Sequence, residues 1–247
     1  GEREEMAVRI AGITGIVKPS YLSKALVIFG GDTAVDGENK TKGQLSHDEM
    51  KLVAQGYGPV NVIARQLAAP VYLLDAGLEK ATSDLEGVLT NEMDTSDIEG
   101  VLTKKMILGT HHGRPAMDDE VVENAISLGM SVAKTLAAQG VEAAGIGNIG
   151  ERSLLSALAV TASIMKEDLM KVSQGSSFQL SLSGVGDFAK DPVGNLAEVG
   201  SAEIAALFGF VVEAARKGMI VVFDNAVTGA AVLAAVTVYP EIRNFIF

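Results

Sequence analysis

The stretch Val141-Glu-Ala-Ala-Gly-Ile-Gly-Asn-Ile-Gly150, with the apolar run Leu154 to Ile164 close behind it, sets the fold class of this chain. Val141 to Ala144 reads as a weak strand, Gly145 to Gly150 as a turn, and 153–170 as a helix. A glycine-rich turn that opens into a helix leaves several backbone N–H groups at the positive end of the helix dipole. That geometry suits a phosphate or a carboxylate, so an anion is expected here first.

Working outward, Ala25-Leu-Val-Ile-Phe29, Pro70-Val-Tyr-Leu-Leu74 and Gly218-Met-Ile-Val-Val-Phe223 are short runs, apolar on both faces. Such runs read as central parallel strands. Between them lie helical patterns: 47–67 with a break at Gly56-Tyr-Gly-Pro59, 119–140 with an interruption at Gly129, 198–217 with a soft break at Gly209, and 228–238. A further helix is expected over 4–13, through Met6, Val8, Ile10 and Ile13. The alternation predicts an α/β fold: a three-layer, Rossmann-like parallel sheet with helices on both faces. Three strands run into aspartate, at Asp32, Asp75 and Asp224. Each suits a helix cap. Together, at the carboxyl ends of strands, they also suit a ligand crevice.

Composition narrows the function. The chain has 247 residues, 48% of them hydrophobic and 21% charged, enough for a real core. A net charge of -11 would repel a phosphodiester backbone or an anionic bilayer, so neither nucleic acid nor membrane is expected as a partner. The absence of Cys excludes disulfides, thiolate zinc sites and cysteine nucleophiles, and suits a cytoplasmic protein. Gly1-Glu-Arg-Glu-Glu5 lacks the order of an export signal. The apolar segments 220–223 and 226–238 are each too short to span a bilayer.

Several candidate sites are weaker. Gly145-x-Gly-x-x-Gly150 matches the dinucleotide fingerprint, but Glu167 and Asp168 fall in the same helix and not at the end of a following strand. An NAD-dependent oxidoreductase is therefore only an outside alternative. His111 and His112 are adjacent, and His47 is the only other histidine, so no metal site is expected. Asp118-Asp-Glu120 suits the cap and first turn of a helix. Thr82-Ser-Asp-Leu-Glu-Gly-Val-Leu-Thr90 recurs as Thr95-Ser-Asp-Ile-Glu-Gly-Val-Leu-Thr103, a local duplication with no functional account. Ser173-Gln-Gly-Ser-Ser177 and Glu198-Val-Gly-Ser-Ala-Glu203 add two more small polar turns. Three such turns suit a ligand with a phosphate at one end and hydroxyls along its length, such as a sugar phosphate.

These segments resemble one family, in order along nearly the whole chain. Phe29-Gly-Gly-Asp-Thr-Ala-Val35 is similar to Phe-Ala-Gly-Asp-His-Gly-Val, and Gly145-Ile-Gly-Asn148 to the centre of Gly-Glu-Met-Gly-Ile-Gly-Asn-Thr-Thr. Glu198-Val-Gly-Ser-Ala-Glu-Ile204 resembles Val-Gly-Gly-Phe-Glu-Ile, and Val222-Phe-Asp-Asn-Ala226 resembles Val-Val-Asp-Gly-Phe. Asn61-Val-Ile-Ala-Arg-Gln66, Leu74-Asp-Ala-Gly77 and Gly109-Thr110 also match. The family is that of the nicotinate-nucleotide:dimethylbenzimidazole phosphoribosyltransferases of cobamide lower-ligand assembly. The resemblance implies a parallel α/β domain over 1–247 with a small helical, dimer-forming region. It also implies transfer of ribose 5-phosphate from nicotinate mononucleotide to an aromatic base, with inversion to the α-riboside and no cofactor. On this resemblance Gly145, Ile146, Gly147, Asn148, Gly200 and Ser201 face the ribose phosphate, and Asp32, Thr33 and Asp224 the acceptor base.

The chain also departs from the pattern. Ala143 stands where the family has a glutamate, with Glu142 one position off; Thr33 replaces a histidine, Ser201 a glycine, and Ile149-Gly150 a Thr-Thr pair. The family's expected general base is a glutamate in an Arg-Leu-Gly-Glu-Gly segment that would follow Phe247, so no catalytic residue is assigned within 1–247. The family's first-helix Gly-Ser-Leu-Gly stretch would precede Gly1, and the region after Ser177 is short. The substitutions favour a phenol- or p-cresol-activating heterodimer, with this chain as the less active subunit. The alternative is a non-catalytic partner that stabilises an active paralogue.

Overall fold

A computed structural model describes residues 22–34, 41–89, 107–108, 115–166 and 185–247 of the chain. The helix expected over 4–13, the second copy of the duplication, His111, His112, Gly109-Thr110 and the turn at 173–177 lie outside these residues. Five strands form one parallel sheet: β1 (Lys24–Gly31), β3 (Val71–Gly77), β4 (Val88–Leu89), β6 (Ala143–Ile149) and β7 (Ile220–Val222), in the order β4-β3-β1-β6-β7. Two short strands, β2 (Thr33–Ala34) and β5 (Ile107–Leu108), pair separately. From the central β1 the chain builds the sheet outward on one side through β3 and β4, and on the other through β6 and β7. The β1–β6 boundary is thus the switch point at which open α/β sheets place their ligand crevice.

Alternation along the strands divides the sheet into two unlike faces. Val27 and Phe29 of β1, Leu74 and Ala76 of β3, and Ala144 and Ile146 of β6 belong to the large core. Five helices build that core with them: α3 (Asp119–Ala138), α4 (Ser153–Met165), α5 (Pro192–Val199), α6 (Ala202–Arg216) and α7 (Ala226–Val238). The short α5 precedes α6. Every residue of α6 from Ala202 to Ala215 is buried. On the opposite face a smaller core joins Ile28, Leu73 and Ile149 to Met50 and Val53 of α1 (Gln44–Ala54). Beside α1 lies α2 (Pro59–Leu67), whose first turn begins at the expected break, with Pro at its start where no backbone donor is needed.

Two expected helix breaks are not breaks. Gly129 and Gly209 sit inside continuous helices, α3 and α6. A methyl at Gly129 would overlap the Ala206 carbonyl, and one at Gly209 the Ile126 carbonyl. The glycines let the two helices cross at backbone distance, so they mark packing and not termination. The helix expected from Glu198 is likewise two, α5 and α6, joined at Gly200 and Ser201.

Candidate active site

The expected turn at Gly145–Gly150 is a strand. Lys24 to Gly30 of β1 pairs in register with Ala143 to Ile149, Gly145 opposite Leu26 and Gly147 opposite Ile28. Two-residue periodicity puts Ala144 and Ile146 into the large core and turns Ala143, Gly145 and Gly147 toward α1 and α2. Three consecutive positions on that face therefore carry at most a methyl group. The missing side-chain volume is a cavity of about 640 Å³ floored by β6 and walled by Leu26 and Ile28 of β1, Val53 of α1, and Val60, Ile63 and Leu67 of α2. The glycines act by removing side chains from a sheet face, not by exposing amides at a helix start. The turn into α4 is Gly150-Glu-Arg152, and Arg152 takes the left-handed conformation there.

Polar groups are few on this lining: Lys24, Glu49, Asn148, Asp224 and Asn225. Asn225 Nδ2 donates to Asn148 Oδ1 (3.3 Å), which links the carboxyl ends of β6 and β7. Its Oδ1 accepts from the amides of Val227 (2.9 Å) and Thr228 (3.0 Å), capping α7. Burial raises the Glu49 carboxyl above its ordinary range. A largely apolar cavity with a few convergent polar groups fits an aromatic ring joined to a polar sugar.

A second polar group lies at the carboxyl end of β1 and is sealed. Asp32 is fully buried and takes three donors: Ser46 Oγ (2.5 Å) and the Glu151 amide (2.8 Å) on Oδ1, and the Glu79 amide (2.9 Å) on Oδ2. It thereby ties β1 to α1, to the β3–β4 connection and to the β6–α4 turn. Glu203, in the first turn of α6, is also fully buried, and its carboxylate lies over the Cα of Gly31. Neither of its oxygens, nor the hydroxyls of Thr33, Ser153 and Ser201, meets a partner in hydrogen-bond geometry. Burial pushes the Glu203 carboxyl up to about 7; the adjacent Ser201 and Ser153 hydroxyls pull it down, and the Asp32 carboxylate adds to the rise. Burial also raises Asp32, against the pull of its Ser46, Glu151 and Glu79 donors.

The expected site residues thus separate into two sets. Gly145, Ile146, Gly147, Asn148 and Asp224 line the cavity, and Ala143 lines it beside them. Asp32, Thr33 and Ser201 are fully buried and Gly200 is buried; none of the four is among the described residues lining it. Of the three strand-end aspartates, Asp75 is also enclosed, accepting from Gly77 N, Leu78 N and Thr82 Oγ1. Only Asp224 is open to the cavity. The sequence reading missed Glu49, which looks like one more charge on a solvated helix face. It quoted Glu203 within a motif but gave it no role, although an acid directly before the apolar run Ile204 to Val212 is a signal. Among the described residues no group of acids, histidines or cysteines is arranged to hold a metal ion. No described helix is long and apolar enough to cross a membrane.

A parallel α/β sheet with an apolar, glycine-floored cavity beside its switch point is where proteins of this architecture bind small molecules. The family model described as "Phosphoribosyltransferase" matches residues 1–247, and the chain belongs to that family. It is 27% identical over 270 residues to the nicotinate-nucleotide--dimethylbenzimidazole phosphoribosyltransferase of Geobacter sp. (strain M21), covering 100% of this chain and 72% of that protein. It is 26% identical over 268 residues to the enzyme of the same name from Chloroflexus aggregans, covering 99% of this chain and 70% of that protein. The fold matches the crystal structure of the nicotinate-nucleotide-dimethylbenzimidazole phosphoribosyltransferase from Thermus thermophilus with a TM-score of 0.79 at 24% identity, over 99% of this chain and 73% of that one. The chain is therefore a member of a phosphoribosyltransferase family, whose relatives are pentosyltransferases.

Proposed function

We propose that this protein moves ribose 5-phosphate from nicotinate mononucleotide to an aromatic lower-ligand base, inverting C1′ to give an α-riboside. The observation that carries this reading is the cavity over β6. Its glycine floor leaves room for a pentose against the backbone, and its α1–α2 wall is apolar enough for a flat ring. Holding donor and acceptor together in one largely apolar cavity supplies proximity. The acceptor attacks C1′ as the bond to the nicotinate nitrogen breaks. Nicotinate leaves with the bonding pair, and a carboxylate takes the acceptor's proton.

Ala143, Thr33 and Ser201 favour the finer reading of a phenol- or p-cresol-activating type, built with a paralogous subunit and acting in the cytoplasm as a single domain over 1–247. Nicotinate release from nicotinate mononucleotide, followed by chromatography with dimethylbenzimidazole, phenol or p-cresol, tests it. Release that depends on an aromatic acceptor is expected, from this chain or from its pairing with the paralogue. No release from either preparation with any acceptor would contradict it. Release only in the mixture, abolished by disabling the paralogue, would favour the second reading, a non-catalytic partner; that reading is motivated by Ala143 in the cavity floor.

A further inference from the structure

We propose that the duplicated segment gives the sheet two interchangeable edge strands: the seat beside β3 that holds residues 82–90 also accepts residues 95–103, so β4 forms from either copy.

The seat reads its occupant at a few positions. Thr82 is fully buried, and its Oγ1 donates to Asp75 Oδ2 of β3 (2.6 Å). Asp84 Oδ1 lies 3.1 Å from Nε2 of the buried His47 on α1. Leu85 and Val88 belong to the small core with Met50, Leu73 and Leu78. Gly87 takes φ +84° with open space around it, so backbone conformation and not room asks for glycine there. Val88 and Leu89 then pair with Leu73 and Leu74 of β3. Ser83 and Glu86 are exposed. The second copy supplies the same residues at these positions: Thr95, Asp97, Gly100, Val101 and Leu102, with Ile98 in place of Leu85. A leucine-to-isoleucine change keeps the volume that the small core needs. The contacts that hold the first copy therefore do not distinguish it from the second.

The connections permit the exchange. With the second copy seated, residues 81–94 become a longer loop between β3 and β4, and lengthening a loop costs little. Downstream, β4 ends opposite Leu74, Leu74 lies opposite Phe29 of β1, and β5 pairs at Thr33 just beyond β1. At ordinary strand rise and spacing that gap is roughly 15 Å, which residues 103–106 can bridge when extended. The small core also contains Val53 of α1, which walls the cavity, so either copy supports that wall.

The test uses the full chain and reads melting temperature together with backbone hydrogen exchange. Thr82→Val with Leu85→Ala removes the Asp75 donor and a core side chain from the first copy. Thr95→Val with Ile98→Ala makes the same change in the second. The second pair alone should leave the melting temperature unchanged. The first pair alone should lower it by less than about 3 °C, with exchange protection passing from residues 82–90 to 95–103. All four substitutions together should lower it by about 10 °C. Deletion of residues 82–94, which places Thr95 directly after Ala81, should give a folded protein melting within about 3 °C of the parent. The exchange is overturned if the first pair costs as much as all four, if residues 95–103 gain no protection in that variant, or if the deletion variant does not fold. None of these readouts involves a nucleotide, so their failure leaves the transfer reading standing.

Discussion

At Gly147 the absence of a side chain is what makes a site. A Cβ built there meets only Ile28 Cγ1, at 3.4 Å, an ordinary contact. A larger β-branched residue would therefore fit the strand and project into the cavity. Gly147→Val should leave the melting temperature near wild type and weaken nicotinate mononucleotide at least tenfold by titration calorimetry. Unchanged affinity would place the nucleotide elsewhere. Glu203 makes the opposite kind of claim, about stability. Its folded pKa of about 7 lies above the ordinary 4.5, so the folded state holds a proton that the unfolded chain has already lost at intermediate pH. Its stabilising contribution is fully present below the ordinary value and is lost as pH rises through about 7, and the raised Asp32 acts in the same direction. Stability should fall between pH 5 and pH 8 by up to about 3 kcal/mol. Glu203→Gln should remove most of that slope in urea titrations at several pH values. An equal slope in the variant would show that the proton sits elsewhere.

Among the elements, α6 is the one the molecule is built around. It is buried from Ala202 to Ala215 between β1, β3 and β7 on one side and α3 on the other. Gly129 and Gly209 set the distance between α3 and α6. Gly129→Val should cost about 3 kcal/mol in chemical denaturation, because backbone and not a flexible side chain blocks the new atoms. A loss below about 1 kcal/mol would mean that the crossing relaxes easily. The elements were largely legible in the sequence, since β1, β3, β7 and the helices announce themselves by apolar runs and spacing. β6 was not. Gly145 and Gly147 carry turn chemistry when read locally, and only pairing with Leu26 and Ile28 makes them strand. Gly129 and Gly209 failed as breaks for a related reason: the neighbour that requires them is more than 70 residues away in sequence.

The whole molecule puts its polar groups to two separate uses around one switch point. The face of β6 toward α1 and α2 holds the cavity, while the carboxyl end of β1 holds the closed Asp32–Glu203 cluster. The family motifs in the sequence span both and do not say which residue touches ligand and which holds the scaffold. Burial separates the two sets: Asp32 is enclosed by its donors, and Asp224 is open to the cavity. The most direct measurement is a crystal structure of the protein soaked with nicotinate mononucleotide. The ribose phosphate should lie over Gly145, Gly147 and Asn148, with the ring toward Val60, Ile63 and Leu67. Nucleotide density anywhere else, with the space over β6 left to solvent, would contradict the account.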